Sequence, residues 1–309
     1  MSTIQKNNLT SVVELNPQKY EARSLWRDAF NRLLRDRLTL IAIIIIVLLT
    51  IVSFAGPPIL ENLTGINPNR TNVINKYFVP GEGGHLLGTD QVGRDQFSRL
   101  MVGGQISLTI AFFTSLLSMS IGVTVGLIAG YFGGWVDDAF TWIITTLTSI
   151  PQLFILLLVA IIWTPTPPVL ILILGLLSWV ETARLVRGEV FALRENEYIT
   201  AARSLGAPSL RIMLSHLFPN LLPIVLINLA ISAGSLILTE SSLSFLGLGI
   251  QPPTPSWGNM LTDSRTYFAR AGHLVIWPGF MISLSVICFY LIGDGVRDAI
   301  DPRSVRNRK

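Results

Sequence analysis

Cysteine and histidine are scarce in this sequence. The 309 residues include a single cysteine, Cys288, and three histidines. One cysteine excludes an intramolecular disulfide and a metal cage built from cysteines, and the histidines have no metal-ligand spacing. The phosphate-binding pattern G-x-x-x-x-G-K-[ST] is absent from the sequence as well. We therefore expect this chain to bind no metal or cofactor itself, and not to hydrolyse ATP through such a loop.

Charged residues are also few. They make up 14% of the chain, whereas a soluble domain carries about 25%. Half of the residues are hydrophobic, and the mean hydropathy is +0.56. The apolar residues form blocks without helical or strand alternation, and each block can cross a hydrocarbon core of roughly 30 Å. The composition predicts a protein that crosses a membrane several times.

Six blocks are predicted to be transmembrane helices, because backbone groups in lipid must be hydrogen-bonded within their own segment. In chain order they are 38–56, 106–130, 139–163, 168–186, 219–239 and 274–293. The predicted fold class is therefore an all-α membrane protein. Pro151 predicts a kink in the third span.

Lysine and arginine indicate the orientation. If the N-terminus is inside, the inner segments hold 17 of the 23 basic residues, which favours cytoplasmic termini in a cell membrane. The net charge of +4 thus concerns topology and does not indicate nucleic acid. Residues 1–37 are expected to contain an amphipathic helix at the lipid surface, followed by a first span and outer loop over 38–105. A transport domain over 106–298 and a cytoplasmic tail over 299–309 complete the predicted organisation.

The second predicted span carries small residues at every fourth position. Ser118, Gly122, Gly126 and Gly130 fall on one helical face, which allows another helix to approach closely. The expected role is helix packing, against a span of this chain or of a partner subunit. A role in lining a pore is the alternative.

Two predicted outer segments have unusual composition. In 85–105, Asp90 and Arg94 have i,i+4 spacing, as do Asp95 and Arg99, which predicts a short exposed helix. The 244–273 segment is rich in glycine, proline and aromatic residues. It is too apolar for a free loop and too interrupted for a span, so we expect a re-entrant or surface-packed cap over the outer mouth.

A polar stretch over 197–220 separates two spans and predicts two short helices. The first has an apolar or small stripe at four positions, Tyr198, Ala201, Ala202 and Leu205. Gly206 is expected at C′, and a second stripe of Leu210, Met213, Leu214 and Leu217 ends before Pro219. The small face at Ala201 and Ala202 could admit another protein. A hairpin packed on its own bundle explains the same pattern.

The 197–220 segment resembles the EAA loop of ABC importer permeases, which docks into the ATP-binding subunit. The family pattern is Glu-Ala-Ala, three residues, Gly, nine residues and Ile-x-Leu-Pro. This chain keeps both alanines, the glycine and the proline. It departs from the pattern at Thr200, His216 and Phe218. The resemblance implies an ATPase-coupling role, within a loop over 188–220, for Tyr198, Thr200, Ala201, Ala202, Arg203, Leu205, Gly206 and Ala207.

Seven blocks extend the resemblance over nearly the whole chain. They read HLLGTDQVGRDQFSRL, GLIAGYFGGWVD, ARLVRGEV, EYITAARSLGA, HLFPN, SFLGLGIQPPTPSWGNML and GDGVRDAIDPR. Together they resemble the C-type permease of dipeptide and oligopeptide ABC importers. The resemblance implies a type I importer fold, a B-type partner permease, two ATPase subunits that bind ATP and Mg, and an extracytoplasmic solute-binding protein. The outer-mouth residues expected to contact that binding protein are Pro253, Ser256, Trp257 and Asn259.

Other functions would require different features of the sequence. An ion-coupled carrier needs intramembrane acids, but Glu181 and Glu240 fall at predicted span ends and no internal repeat is seen. An intramembrane hydrolase would need a nucleophile motif that is not found. A nickel importer shares the same permease blocks and remains the alternative to a peptide importer. The sequence thus predicts a non-catalytic subunit of a transporter.

Overall fold

The computed structural model describes residues 25–264 and 271–300, and within these ranges the regular secondary structure is helical apart from one isolated bridge between Thr89 and Asp95. The helices are α1 (Leu25–Leu33), α2 (Arg37–Thr64), α3 (Gln96–Phe132), α4 (Gly134–Thr148), α5 (Gln152–Ile162), α6 (Pro167–Arg194), α7 (Glu197–Ser204), α8 (Ser209–Arg211), α9 (Phe218–Phe245), α10 (Trp257–Ser264) and α11 (His273–Ile300). Two 3₁₀ turns, Val73–Asn75 and Glu82–Gly84, lie between α2 and α3, and a π turn, Ile212–Leu217, joins α8 to α9.

Five helical stretches are long and apolar enough to cross a membrane: α2, α3, α6, α8 through α9, and α11. The pair α4 and α5 is bent by 70° and is a sixth candidate if it counts as one broken span. The predictions of an all-helical, multi-pass protein and of a kink at Pro151 are confirmed. Pro151 precedes the first residue of α5, where a ring without an N–H interrupts the helical hydrogen bonds.

The helices are longer than the apolar runs that predicted them. The second span was predicted to begin at residue 106, whereas α3 begins at Gln96. The fourth was predicted to end near residue 186, whereas α6 continues to Arg194. Hydropathy detects only the part of a helix that lies in lipid, so polar extensions are missed.

The glycine ladder of α3 packs against α6 of the same chain. A Cβ atom at Gly122 would lie 2.6 Å from the Cβ of Thr182, and one at Gly126 would lie 2.8 Å from the Cβ of Val186. At Gly130 the nearest atom is the Cβ of Val190, at 2.7 Å. The absence of side chains on α3 thus allows the two backbones to approach. The face is occupied within the chain, which leaves no room there for a partner subunit.

The first acidic–basic pair before α3 is buried, not exposed. Arg94 Nε donates to Asp90 Oδ2 over 2.6 Å, and both residues are buried. The prediction of an exposed helix here is wrong, because this stretch forms turns that are tied to the protein by backbone hydrogen bonds.

The two residues of the second predicted pair, Asp95 and Arg99, each contact other residues. Asp95 is the N-cap of α3, where its carboxylate accepts from the backbone N–H of Ser98 over 2.7 Å. Its other oxygen lies 2.9 Å from Nδ1 of His85. Arg99 turns to Asp90, with its Nε 3.7 Å from Oδ2 of that residue.

The first two helices lie at the periphery of the bundle. α2 exposes most of its apolar side chains, including Ile44 and Leu48, as expected of a helix that faces lipid. α1 lies beside the end of α11, where Arg32 Nη1 donates to the carbonyl oxygen of Ala299 over 3.4 Å. The N-terminal part of the predicted amphipathic face lies outside the described residues.

Candidate functional site

A glycine turn ends α7. Gly206 has a φ of +80°, a left-handed conformation that residues with a Cβ rarely adopt. The N–H of Gly206 donates to the carbonyl of Arg203, and the N–H of Ala207 donates to that of Ala202 over 3.1 Å. These two bonds form a Schellman motif. The prediction that Gly206 stands at C′ is confirmed.

The second predicted helix does not end at Pro219. α8, the π turn and α9 form one continuous stretch, Ser209–Phe245. The N–H of Phe218 donates to the carbonyl of Met213, five residues earlier. Proline has no N–H and its ring crowds the carbonyl four residues before it, so the wider π turn accommodates Pro219 without breaking the helix.

The 197–220 segment has an inward and an outward face. Ile199 is fully buried in the same cluster as Ile212, Met213 and Leu217, and Ala202 and Ala207 pack against that cluster. The predicted stripe is therefore wrong at Ala202, which faces the bundle, and it missed Ile199. The outward side chains are Tyr198, Thr200, Ala201, Arg203, Leu205, Leu210 and Leu214.

The outward face is markedly apolar for a surface outside the spans. Leu205 is 89% exposed, Leu210 63% and Leu214 54%. We call the exposed residues Tyr198, Ala201, Leu205, Leu210 and Leu214 the coupling face. One face of the segment therefore packs on the bundle, as the hairpin explanation predicts, and the other face is exposed.

Arg203 fixes the protrusion to the rest of the chain. Its guanidinium carbon lies 5.6 Å from the centroid of the Tyr131 ring near the end of α3. A cation over an aromatic face is attracted by the ring quadrupole. The end of the glycine-ladder helix and the protrusion are thus in direct contact.

The cap residues that were expected to meet a binding protein are mostly internal. Ser256 and Trp257 are almost completely buried, and Asn259 is 3% exposed. Trp257 Nε1 donates to the carbonyl of Leu100 over 3.0 Å, and Asn259 Nδ2 donates to that of Ile250 over 3.0 Å. The prediction of partner contact is wrong for these three residues, because they are packed and hydrogen-bonded inside the protein's own core. Pro253 is exposed.

Glu240 lies inside α9 and is fully buried. Its two carboxylate oxygens accept hydrogen bonds from Ser107 over 2.9 Å and from Ser244 over 2.7 Å. Two more hydroxyls, those of Ser241 and Ser256, face the same carboxylate. Serine hydroxyls therefore enclose the carboxylate beneath the cap, where it joins the helices to one another.

A polar cleft of about 480 Å³ lies among the elbow between α4 and α5, α6, α9 and α11. That volume falls in the range of about 300–1,000 Å³ typical of ligand pockets. α9 contributes four polar residues spaced i, i+4, i+7 and i+11, which puts them on one helical face: Asn228, Ser232, Ser235 and Thr239. The elbow adds Thr148 and Gln152.

Two charged side chains of α6 line this cleft. Glu181 and Arg184 are exposed on the surface of the chain, and Arg184 Nη2 lies 3.4 Å from Oγ1 of Thr148. The sequence had assigned Glu181 to a span end, but α6 continues 13 residues beyond it, to Arg194. Sequence reasoning missed the cleft, although the spacing of the four polar residues of α9 was a readable signal.

The described residues contain no group of three or more His, Cys, Asp or Glu side chains that could hold a metal ion. The structure combines a multi-pass helical bundle, a helical protrusion with an exposed apolar face and a polar cleft between spans. They define a membrane transport component.

Comparison with known proteins gives the family. Residues 122–306 match the family described as binding-protein-dependent transport system inner membrane component. Residues 24–76 match the N-terminal transmembrane domain of oligopeptide transport permease C. The chain belongs to the binding-protein-dependent transport system inner membrane components.

Several relatives match along most of their length. The dipeptide transport system permease protein of Alkalihalophilus pseudofirmus is 36% identical, over 92% of this chain and 92% of that protein. The oligopeptide transport system permease protein of Haemophilus influenzae is 34% identical, over 94% and 92%. The glutathione transport system permease protein of Pectobacterium atrosepticum is 36% identical, over 91% and 92%. The resemblance found in the sequence motifs is confirmed.

Proposed function

We propose that this chain is the transmembrane permease subunit of an ABC importer for dipeptides or oligopeptides. It would form half of the translocation pathway and pair with a homologous B-type permease. Two ATPase subunits, which bind ATP and Mg, would supply the energy, and an extracytoplasmic solute-binding protein would deliver the peptide. The chain itself would be non-catalytic and would contact lipid but no nucleic acid.

The observation that carries this proposal is the coupling face. Leu205 is 89% exposed, and exposure of an apolar side chain to water is unfavourable. Clusters of exposed apolar residues outside the lipid typically mark protein interfaces. The face stands on a rigid support, because Ile199 is buried beneath it and the Schellman turn at Gly206 ends α7. A rigid apolar protrusion can transmit movement of an attached ATPase subunit to α9, with which it is continuous.

The proposed topology has six spans and both termini in the cytoplasm. The bent pair α4 and α5 would then count as the third span. The organisation is a cytoplasmic segment 1–37, a first span and outer loop over 38–105, a transport domain over 106–298 and a tail over 299–309. The coupling loop, 188–220, would lie on the cytoplasmic side, and it holds three of the basic residues that support this orientation, Arg194, Arg203 and Arg211.

Peptides are favoured over nickel as the cargo. The relatives compared above are named for dipeptide, oligopeptide and glutathione transport. Nickel prefers nitrogen and sulfur ligands, whereas the cleft is lined by hydroxyl, amide, carboxylate and guanidinium groups, which suit a peptide.

Reconstitution tests the proposal. The chain, its partner permease and the ATPase subunits are placed in liposomes with the binding protein, and uptake of a radiolabelled dipeptide and of ⁶³Ni²⁺ is measured with and without ATP. We expect ATP-dependent uptake of the dipeptide that is lost when the binding protein is omitted. Uptake of nickel alone, or uptake driven by an ion gradient without ATP, would contradict the proposal.

A further inference from the structure

The charged pair in the polar cleft belongs to α6, a helix long and apolar enough to cross a membrane. α6 begins at Pro167, and Glu181 is 14 residues further on, which corresponds to about 21 Å of helix. A hydrocarbon core is roughly 30 Å thick. Charged side chains within a spanning helix face protein or a water-filled cavity, and they typically mark functional sites. Glu181 and Arg184 both border the cleft.

A neighbouring arginine on α6, Arg187, forms an ion pair within the chain and so differs from Arg184. One turn beyond Arg184, Arg187 is paired with Asp137 of α4, with Nη2 2.6 Å from Oδ2. Among the described residues, no such ion pair is formed by Glu181 or Arg184. Their charges are thus left facing the cleft, where the nearest hydrogen-bonding group of Arg184 is the hydroxyl of Thr148.

We propose that the cleft is this chain's wall of the peptide pathway and that its two charges attract the two ends of a peptide. Arg184 suits the terminal carboxylate, because a guanidinium binds a carboxylate with directed hydrogen bonds. Glu181 suits the terminal ammonium. This inference rests on the proposed function and goes further, because it assigns the charges of a zwitterionic peptide to two named side chains.

The uncharged residues of the cleft fit the same ligand. The hydroxyl and amide groups of α9, Ser232, Ser235 and Asn228 among them, can donate to and accept from peptide groups. They are spread along 11 residues of helix from Asn228 to Thr239, about 16 Å. A row of neutral hydrogen-bonding groups can bind the peptide at successive positions without holding it too tightly at any one of them. Passage through a membrane requires such a series of weak sites.

Water access is tested by labelling in the reconstituted complex. In a Cys288→Ser background, cysteine is placed at Ser235 in the cleft or at Leu226, nine residues earlier and therefore on the opposite face of α9. We expect a membrane-impermeant maleimide to label Ser235→Cys when it is supplied on both sides of the bilayer, and the Leu226→Cys control to stay unlabelled. Protection of Ser235→Cys by the loaded binding protein with ATP and vanadate would place peptide in the cleft. An unreactive Ser235→Cys protein would overturn the proposal.

The charges are tested by transport. Arg184→Gln and Glu181→Gln are each expected to lower dipeptide uptake about tenfold or more, the effect of losing a charge-assisted contact. Arg184→Lys should recover most of the uptake. The control is Glu61→Gln, which should behave as wild type, because Glu61 is exposed near the end of α2 and does not line the cleft.

Three results separate the explanations. Uptake by Arg184→Gln within twofold of wild type would overturn the charge assignment. Loss of the partner permease from the purified Arg184→Gln complex would also overturn it, because the charge would then serve assembly. If the wild-type complex fails to import any dipeptide while Ser235→Cys is still labelled, the proposed peptide function fails, but the water-filled cleft stands.

Discussion

The hydroxyl of Ser107 on α3 donates a hydrogen bond of 2.9 Å to Oε2 of Glu240 on α9, 133 residues away in the chain. The same hydroxyl oxygen accepts the backbone N–H of Trp257, over 3.2 Å, at the start of α10. A single side chain thus joins two spanning helices and the cap. The cap is held from inside by polar contacts and not only by apolar packing.

Removal of that hydroxyl should loosen the cap. Ser107→Ala removes one of the hydrogen bonds to the buried Glu240 carboxylate and takes the acceptor away from the buried N–H of Trp257, which costs about 1–3 kcal/mol. We expect a lower free energy of unfolding and a lower Tm, followed with a thiol-reactive dye that reports exposure of Cys288, which is buried. Ser120→Ala is the control, because Ser120 is exposed and its hydroxyl donates only to Leu116 of its own helix. An equal Tm for both variants would contradict this account of the cap.

The packing of α3 on α6 predicts a contrast between two glycines. An alanine Cβ at Gly126 would lie 2.7 Å from the carbonyl oxygen of Ala183, whereas one at Gly188 meets nothing within 4 Å. Gly126→Ala should destabilise the protein by about 1–3 kcal/mol through overpacking. Gly188→Ala should be neutral or stabilising by up to about 1 kcal/mol. The check is the Tm in detergent, and a Gly126→Ala protein as stable as Gly188→Ala would argue against close α3–α6 contact.

The cap also predicts which positions a reagent can reach. Pro253 is exposed and Ser256 is fully buried. In a Cys288→Ser background, Pro253→Cys should react with an impermeant thiol reagent added outside intact cells, and Ser256→Cys should react far more slowly. Reaction of Pro253→Cys only from the cytoplasmic side would reverse the proposed orientation.

Much of the architecture could be predicted from the sequence, because local physics determines it. Long apolar runs require spanning helices, and glycine at C′ predicted the turn at Gly206. The kink at Pro151 follows from the chemistry of proline, although the 70° angle does not.

Features that depend on which face meets the bundle could not be predicted. Contact with the core determines which side of α7 faces inward. From the sequence, a buried stripe through Tyr198 and Ala202 was as plausible as one through Ile199. Composition likewise could not say whether Trp257 would face lipid, a partner or the interior. The i,i+4 spacing likewise did not reveal that Arg99 lies beside Asp90 or that Asp95 is the N-cap of α3.

The central claim is that the coupling face binds an ATPase subunit, and Leu205→Glu tests it most directly. Because Leu205 is 89% exposed, a charge there should change the stability of the chain by no more than about 0.5 kcal/mol. The control is Leu63→Glu, 79% exposed near the end of α2. Copurification of the ATPase subunits and ATP-dependent dipeptide uptake are measured for both variants in the assembled complex. We expect Leu205→Glu to lose about tenfold or more of both quantities, with Leu63→Glu within twofold of wild type. A Leu205→Glu complex that retains its ATPase subunits and full uptake would contradict the account.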